Sequence, residues 1–293
     1  MAGKNKINFY ESLIIFVLLM ITSLSLIPLL YTLAISLSDS AAAQAGLVFL
    51  WPVDFSLASY QKIMKDMRFF TAFGVSVERV LLGGSINFVL TCMMAYPLSR
   101  EKKEFRFRNT YMWTLVVAMI FHGGLIPWFI TVKNYGLINT IWALVLPCAV
   151  PVFNVILLMN FFRGVPKEMN EAAIIDGAGA WYTMIKIYMP LSLPAISTVT
   201  LFSVINHWNS FFDGLVFMSK EIKLPLASYI QTLIVQTTHM ETLTTEEMME
   251  LAKLSPKTLN AAKVMVGMVP ILLVYPFAQK YFITGITLGS VKE

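Results

Sequence analysis

The chain has 293 residues, of which 57% are hydrophobic and only 13% charged. Soluble domains run at about 45–50% apolar and about 25% charged residues, so the composition argues against an ordinary soluble enzyme and for a membrane as solvent. The net charge of +5 includes no basic stripe of the kind that tracks phosphates, which speaks against a nucleic-acid partner. Two cysteines, Cys92 and Cys148, both in apolar runs, are too few for a disulfide framework or a zinc site.

A helix crossing about 30 Å of hydrocarbon needs roughly 20 mostly apolar residues. Six stretches qualify, at about 12–37, 80–99, 110–131, 137–161, 189–212 and 264–283. The expected fold is an all-α integral membrane protein of six transmembrane helices, one domain over 1–293. Ahead of the first span, Lys4 and Lys6 resemble the start of a signal peptide, with Ala41–Ala43 as a cleavage site. The uncharged run from Ser12 to Ser38 exceeds a signal core of about 7–15 residues, so a retained helix is expected. A second span starting near Phe70 would contain the adjacent Glu78 and Arg79, which lipid would penalise. That pair is expected to face protein, water or the interface.

The segment 100–108 carries Arg100, Lys102, Lys103, Arg106 and Arg108, the densest basic cluster in the chain. Placing it in the cytoplasm puts both termini (1–11 at the start) and 163–188 inside, and 39–69, 132–136 and 213–263 outside. The expectation is N-in, C-in. Pro28, Pro127, Pro147 and Pro151 fall within spans, where neighbouring helices or water can satisfy freed carbonyls. Trp51, Trp128, Trp142 and Trp208 lie near span ends and suggest an interfacial belt.

Between the fourth and fifth spans, Pro166 suits a first helical position, Glu168 complements the dipole, and Gly177 suits a left-handed closing residue. A short helix over 166–176 is expected outside the membrane. Its Ala172 and Ala173 would leave a slim face for another protein's groove, with Glu171 and Asp176 on either side. A second short helix, from about Trp181 to Ile187, would lead to Pro190.

In the fifth span Asn206, Asn209, Ser210 and Asp213 fall at i, i+3, i+4 and i+7, one face of a continuous helix. Such polar groups, with Asn154 and Asn87, suit either hydroxyl recognition along a sugar path or hydrogen bonds between helices. His122 and His207 are isolated and suggest packing rather than metal binding.

Glu171-Ala172-Ala173, three residues, Gly177, nine residues, Ile187, two residues, Pro190 resembles the signature loop of ABC importer permeases. Met189 stands where a Leu is usual, a volume-conserving exchange. Phe161–Pro166, His122–Pro127, His207–Phe212 and Gln279–Gly285 resemble the carbohydrate, maltose-type permeases, in particular their lipoprotein and oligosaccharide branch. Second permease subunits of alginate-oligosaccharide importers are one candidate group within it. The resemblance implies a type I importer permease fold in the bacterial inner membrane. The partners would be a paralogous permease, two ATPase subunits carrying ATP and Mg, and an extracytoplasmic solute-binding protein. Glu171, Ala172, Ala173, Asp176, Gly177, Ile187 and Pro190 would then couple to the ATPase. This chain has no Gly-x-x-x-x-Gly-Lys-Ser/Thr loop, so it is expected to bind no nucleotide itself and not to be an enzyme.

The outer loop 213–263, too long for a simple connector, holds Met240, Met248 and Met249 beside Glu241, Glu246, Glu247 and Glu250. By the resemblance it would touch the solute-binding protein; a self-contained cap is the other reading. Two rival functions stand: an ion-coupled secondary transporter, disfavoured because no carboxylate lies near a span centre, and an intramembrane enzyme, for which no His-Glu-x-x-His motif, aspartate pair or activated nucleophile is present.

Overall fold

The computed structural model describes residues 9–236 and 255–290 and is all-helical there. In chain order the helices are α1 (Phe9–Ser36), α2 (Ser40–Gln44), α3 (Ala58–Lys65), α4 (Met67–Ser99), α5 (Arg108–Ile120) and α6 (Leu125–Asn134). There follow α7 (Trp142–Val145), α8 (Val152–Arg163), α9 (Lys167–Ile175), α10 (Ala180–Thr183), α11 (Met189–Leu191) and α12 (Leu193–Asn209). The last are α13 (Phe212–Phe217), α14 (Leu226–Gln236) and α15 (Pro256–Ser290). These residues fall into two compact units, divided at 67/68, 231/232 and 269/270.

The first unit contains α1, whose apolar surface is exposed from Phe9 to Leu30; only Ala34, Ile35 and Ser36 at its end are buried. Small residues there allow close approach. Ala34, Ala42, Ala43 and Ala261 form a core with Ile35 and Val48. Hydroxyls fasten the loops: Ser38 Oγ donates to Ala34 O at 2.7 Å and accepts from Val53 N at 3.1 Å. Ser59 Oγ donates to Thr258 Oγ1 at 3.1 Å, joining α3 to the start of α15.

In the second unit, α4 has 33 residues, or about 50 Å of helix at 1.5 Å per residue. It packs through small and polar residues. The core joins Cys92, Ala95, Tyr96 and Leu98 of α4 to Val155, Leu158, Met159 and Phe162 of α8 and Ala195, Ile196 and Val199 of α12. Only α1 and α4 are long and apolar enough to cross a membrane unaided among the described residues searched, and three bent helix pairs raise this to five.

Those pairs correct three expectations of unbroken spans. The stretch 110–131 is interrupted between α5 and α6, which meet at 114°, with Gly124 at φ +89° in the break. The left-handed backbone suits Gly because it carries no Cβ. The stretch 137–161 breaks before α8 with a 45° bend. Pro147 and Pro151 explain it, since each removes a helix donor and disfavours helical geometry just upstream. The stretch 189–212 turns by 88° at Ser192, between Pro190 and Pro194, and its helix ends at Asn209. The interval 264–283, by contrast, lies inside the uninterrupted α15 despite Pro270 and Pro276.

Gly83 marks the closest approach of α4 to α12, because the ring of His207 lies against it. A Cβ there would stand 2.5 Å from His207 Cε1 and Nε2. The Asn87 amide turns its nitrogen to the carbonyls of Gly83 and Cys148, both at 3.1 Å, and accepts from His207 Nε2 at 3.3 Å. This orientation gives every donor an acceptor. His207 is therefore a packed, hydrogen-bonded residue, as a lone imidazole suggested. Gly83→Ala should destabilise the protein by about 1–3 kcal/mol by overpacking. Gly84→Ala, whose Cβ would meet only Val204 Cγ2 at 4.0 Å, should be near neutral. Thermal unfolding of the two variants in detergent makes the comparison.

Candidate functional site: the α8–α12 connection and the polar spans

Helix α9 begins one residue later than expected. Pro166 is its extended N-cap (φ −55°, ψ 136°), and the first helical residue is Lys167. At the other end Gly177 takes φ +78°. Gly177 N donates to Ile174 O at 3.0 Å and Ala178 N to Ala173 O at 2.8 Å, closing the last carbonyls. The expected slim face is divided. Ala173 and Asn170 are buried against the protein itself, whereas Ala172, Glu171 and Asp176 are exposed. Beside them Ile174 and Ile175 are 60% and 85% exposed, and Trp181 and Tyr182 are exposed on α10. Sequence reading missed this apolar edge.

From α10 to α11 the chain stays helical, but through a wider π turn over Met184–Tyr188. Met189 N donates to Met184 O, five residues back. The wide turn accommodates Pro190, whose ring would otherwise press on the carbonyl of Lys186. Ile187 is half-buried against the core and Pro190 is exposed.

Arg100 fixes this stretch to the end of α4. Its guanidinium lies 4.4 Å from the Tyr96 ring centroid and 4.5 Å from that of Tyr188. It donates to Tyr188 Oη at 2.9 Å and to Tyr96 Oη. The two rings meet edge to face at 5.3 Å, and Phe162 adds a third ring against Tyr188 at 5.6 Å. Such cation–π contacts are worth about 0.5–2 kcal/mol each.

Lys167 forms an exposed ion pair with Glu101. The hydrogen bond and charge of Lys167 hold the Glu101 carboxyl below its usual range, and Glu101 raises Lys167 in turn. The lowered carboxyl favours this arrangement above the ordinary carboxylate range, an effect lost as pH falls through the lowered value. The raised amine favours it below the ordinary lysine range and loses the effect as pH rises through the raised value. Between them the pair is intact, though solvent exposure keeps it weak.

Inside the spans, the continuous polar face expected from Asn206 to Asp213 does not form. Asn206 and Asn209 are exposed on α12, Ser210 is extended beyond its end, and Asp213 lies on α13. Asp213 is buried in an ion pair with Arg79, their side chains 5% and 1% exposed. Arg79 also donates to Ser210 O at 3.1 Å and Leu144 O at 3.4 Å, while Ser210 Oγ and Gly214 N donate to Asp213 Oδ1, each at 2.9 Å. The broken end of α12 thus finds partners inside the protein, which satisfies its buried non-helical backbone. Glu78 is exposed while Arg79 is buried, so the adjacent charges part company. Arg79 and Asp213 each stand out in the sequence, but nothing there pairs them.

Asn154 and Asn206 do come together. They share a cleft of about 390 Å³ with Asn87, Ser203 and the rings of Phe153 and Phe202. Asn154 Nδ2 donates to Val199 O and Ser203 Oγ, both at 3.1 Å. Trp208 is buried edge-on against Phe73 at 5.6 Å, which corrects its placement in an interfacial belt. Met240, Glu241, Glu246, Glu247 and Glu250 lie outside the described residues. No cluster of metal-ligating side chains occurs among the described residues.

No family model matches the chain. It is 35% identical over 292 residues to the polygalacturonan/rhamnogalacturonan transport system permease protein YtcP of Bacillus subtilis, covering 99% of both chains. It is also 35% identical over 272 residues to protein LplC of the same organism, covering 92% of this chain and 90% of the relative. A crystal structure of a bacterial ABC transporter involved in the import of the acidic polysaccharide alginate contains a chain that matches with a TM-score of 0.85 and 30% identity, over 96% of this chain and 100% of that one. With near-complete coverage by such relatives, an all-α multi-helix membrane fold and the loop around α9, the chain belongs to the permease subunits of carbohydrate ABC importers, non-catalytic halves of a sugar-translocating membrane unit.

Proposed function

We propose that the chain crosses the bacterial inner membrane six times, with both termini in the cytoplasm, and pairs with a paralogous permease above two ATPase subunits. Helix α9 is the coupling element. Glu171, Ala172, Asp176 and Gly177 face the ATPase with Ile174 and Ile175, while Ala173, Ile187 and Pro190 seat and turn the element that carries them. The single observation behind this reading is the exposed apolar edge Ile174–Ile175 on a helix outside the spans. A surface of two aliphatic side chains rimmed by Glu171 and Asp176 suits a groove in another protein better than water.

Motion of α9 passes into the spans through the Arg100 clamp and the shared core of α4, α8 and α12. The translocation path runs past Asn154 and Asn206, where amides can donate to and accept from sugar hydroxyls and the Phe153 and Phe202 rings offer apolar faces. Asn209, Ser210 and Asp213 border that path through the α12 break. Met240, Glu241, Glu246, Glu247 and Glu250 belong to the outer loop that receives the solute-binding protein. The relatives named for polygalacturonan and for alginate make an oligosaccharide of uronate type the first substrate to test.

The test is uptake into proteoliposomes holding this chain, its partner permease and the ATPase, with the binding protein added outside. Oligosaccharide should accumulate only when ATP is enclosed. Uptake driven by an ion gradient without ATP would instead support a secondary transporter.

A further inference from the structure

We propose that the α4–α5 corner is a binding site for the phosphate headgroup and one acyl chain of an anionic phospholipid. Two guanidinium groups converge there on one acceptor: Arg108 Nε donates to Leu98 O at 3.1 Å and Arg163 to the same oxygen at 3.4 Å. Neither has a carboxylate partner among the described residues. Both arginines line a recess of about 480 Å³ whose acids are Glu101, held by Lys167, Glu104, 3.8 Å from Arg100, and Glu171, which also acts on Lys167. Among the described residues the other hydrogen-bond contacts of Arg163 are the sulfurs of Met112 and Met159, at 3.4 and 3.3 Å. A guanidinium carries five N–H donors, so both forks retain several for a bridging oxyanion. Arg108 and Arg163, donating to the same oxygen, repel one another, and a phosphate bridging them would relieve that repulsion.

The second observation is the surface next to them. Leu98, whose carbonyl takes both arginines, also lines an apolar groove of about 230 Å³ with Met93, Met94, Pro97, Phe105 and Tyr111. Phe105 stacks on Tyr111 at 5.6 Å, walling one side. A cationic mouth opening onto an apolar groove matches a lipid, with its charge at one end and hydrocarbon at the other. Free phosphate would use only the mouth. Basic pockets between helices at the inner membrane surface are a known physical setting for such headgroups.

The experiment is native mass spectrometry of the intact importer complex with phosphatidylglycerol, and with phosphatidylcholine for comparison. Retained phosphatidylglycerol should fall about fivefold for Arg108→Gln or Arg163→Gln and about 30-fold for the pair, taking the usual contribution of one basic residue near an anionic surface. The Arg108→Lys, Arg163→Lys double variant, which keeps the charge, should retain more than the Gln pair. This separates headgroup loss from misfolding. Met93→Trp, which fills the groove, should weaken phosphatidylglycerol while leaving binding of glycerol 3-phosphate unchanged. The proposal is overturned if Arg106→Gln matches the recess variants, because the effect is then general surface charge. It is also overturned if millimolar inorganic phosphate displaces the lipid as well as phosphatidylglycerol does, or if phosphatidylcholine binds equally.

Discussion

Asp213→Asn should lower the stability of the permease by about 3–5 kcal/mol, read as a fall in unfolding temperature and in yield from membranes. Among the described residues, the carboxylate it removes is the only acid paired with Arg79, whose side chain is 1% exposed. Breaking one half of a buried pair leaves an uncompensated charge, and that desolvation term dominates the effect. Arg79→Ala should cost a similar amount, because it strands Asp213 and frees the carbonyls of Ser210 and Leu144. The double variant Arg79→Met, Asp213→Leu should recover most of the loss, since well-packed apolar pairs often match buried ion pairs. Its residual deficit reports what Arg79 contributes to the broken end of α12. If the double variant is no better than either single one, the hydrogen bonds to Ser210 O and Leu144 O dominate and the charge pair is secondary.

Ile175→Glu should abolish ATP-driven uptake while the permease still folds and inserts. At 85% exposure the side chain supports no packing within this chain, so its loss should leave unfolding unchanged. Removal of a central apolar anchor typically weakens an interface by about 2–4 kcal/mol, or roughly 30- to 1000-fold in affinity for the ATPase. Gly177→Val acts differently. It places a β-branched residue at φ +78°, where left-handed backbone costs an L-residue about 1–2 kcal/mol, and so should loosen the end of α9. Copurification of the ATPase with each variant separates the two effects. Ile175→Glu should lose the partner outright, whereas Gly177→Val should retain it with reduced coupling.

Much of this architecture is legible in the residues, and the failures are instructive. Hydropathy finds α1 and α4 because each is a single long apolar helix. It cannot see the turn at Phe121–Gly124, because the apolar run continues through the break and only the left-handed Gly124 marks it. Pro147 and Pro151 read as tolerated within a span, because kink and break look alike until neighbours satisfy the freed groups, and the Pro190/Pro194 pair does not read as a break at all. The α9 loop was the clearest feature, since Pro166, Glu168 and Gly177 act locally through capping rules. Its exposed edge was not, because Ala172 and Ala173 look equivalent in sequence and only packing decides that Ala173 turns inward. The Asn206–Asp213 face failed for one reason: a period of 3.6 applies only while the helix continues, and α12 stops at Asn209. Arg79–Asp213 and Arg100 between Tyr96 and Tyr188 join residues 134 and 88 positions apart, a kind of contact that no periodicity encodes.

The coupling role of α9 is tested most directly by disulfide-range cross-linking in membranes that contain the whole importer. With Cys92 and Cys148 replaced by serine, Ile175→Cys should trap the ATPase subunit, with a yield that changes when ATP is bound. Trp51→Cys, also highly exposed but in the segment expected outside, should trap none of it. An ATPase adduct at position 51, or none at 175 in a complex that transports, would contradict the account.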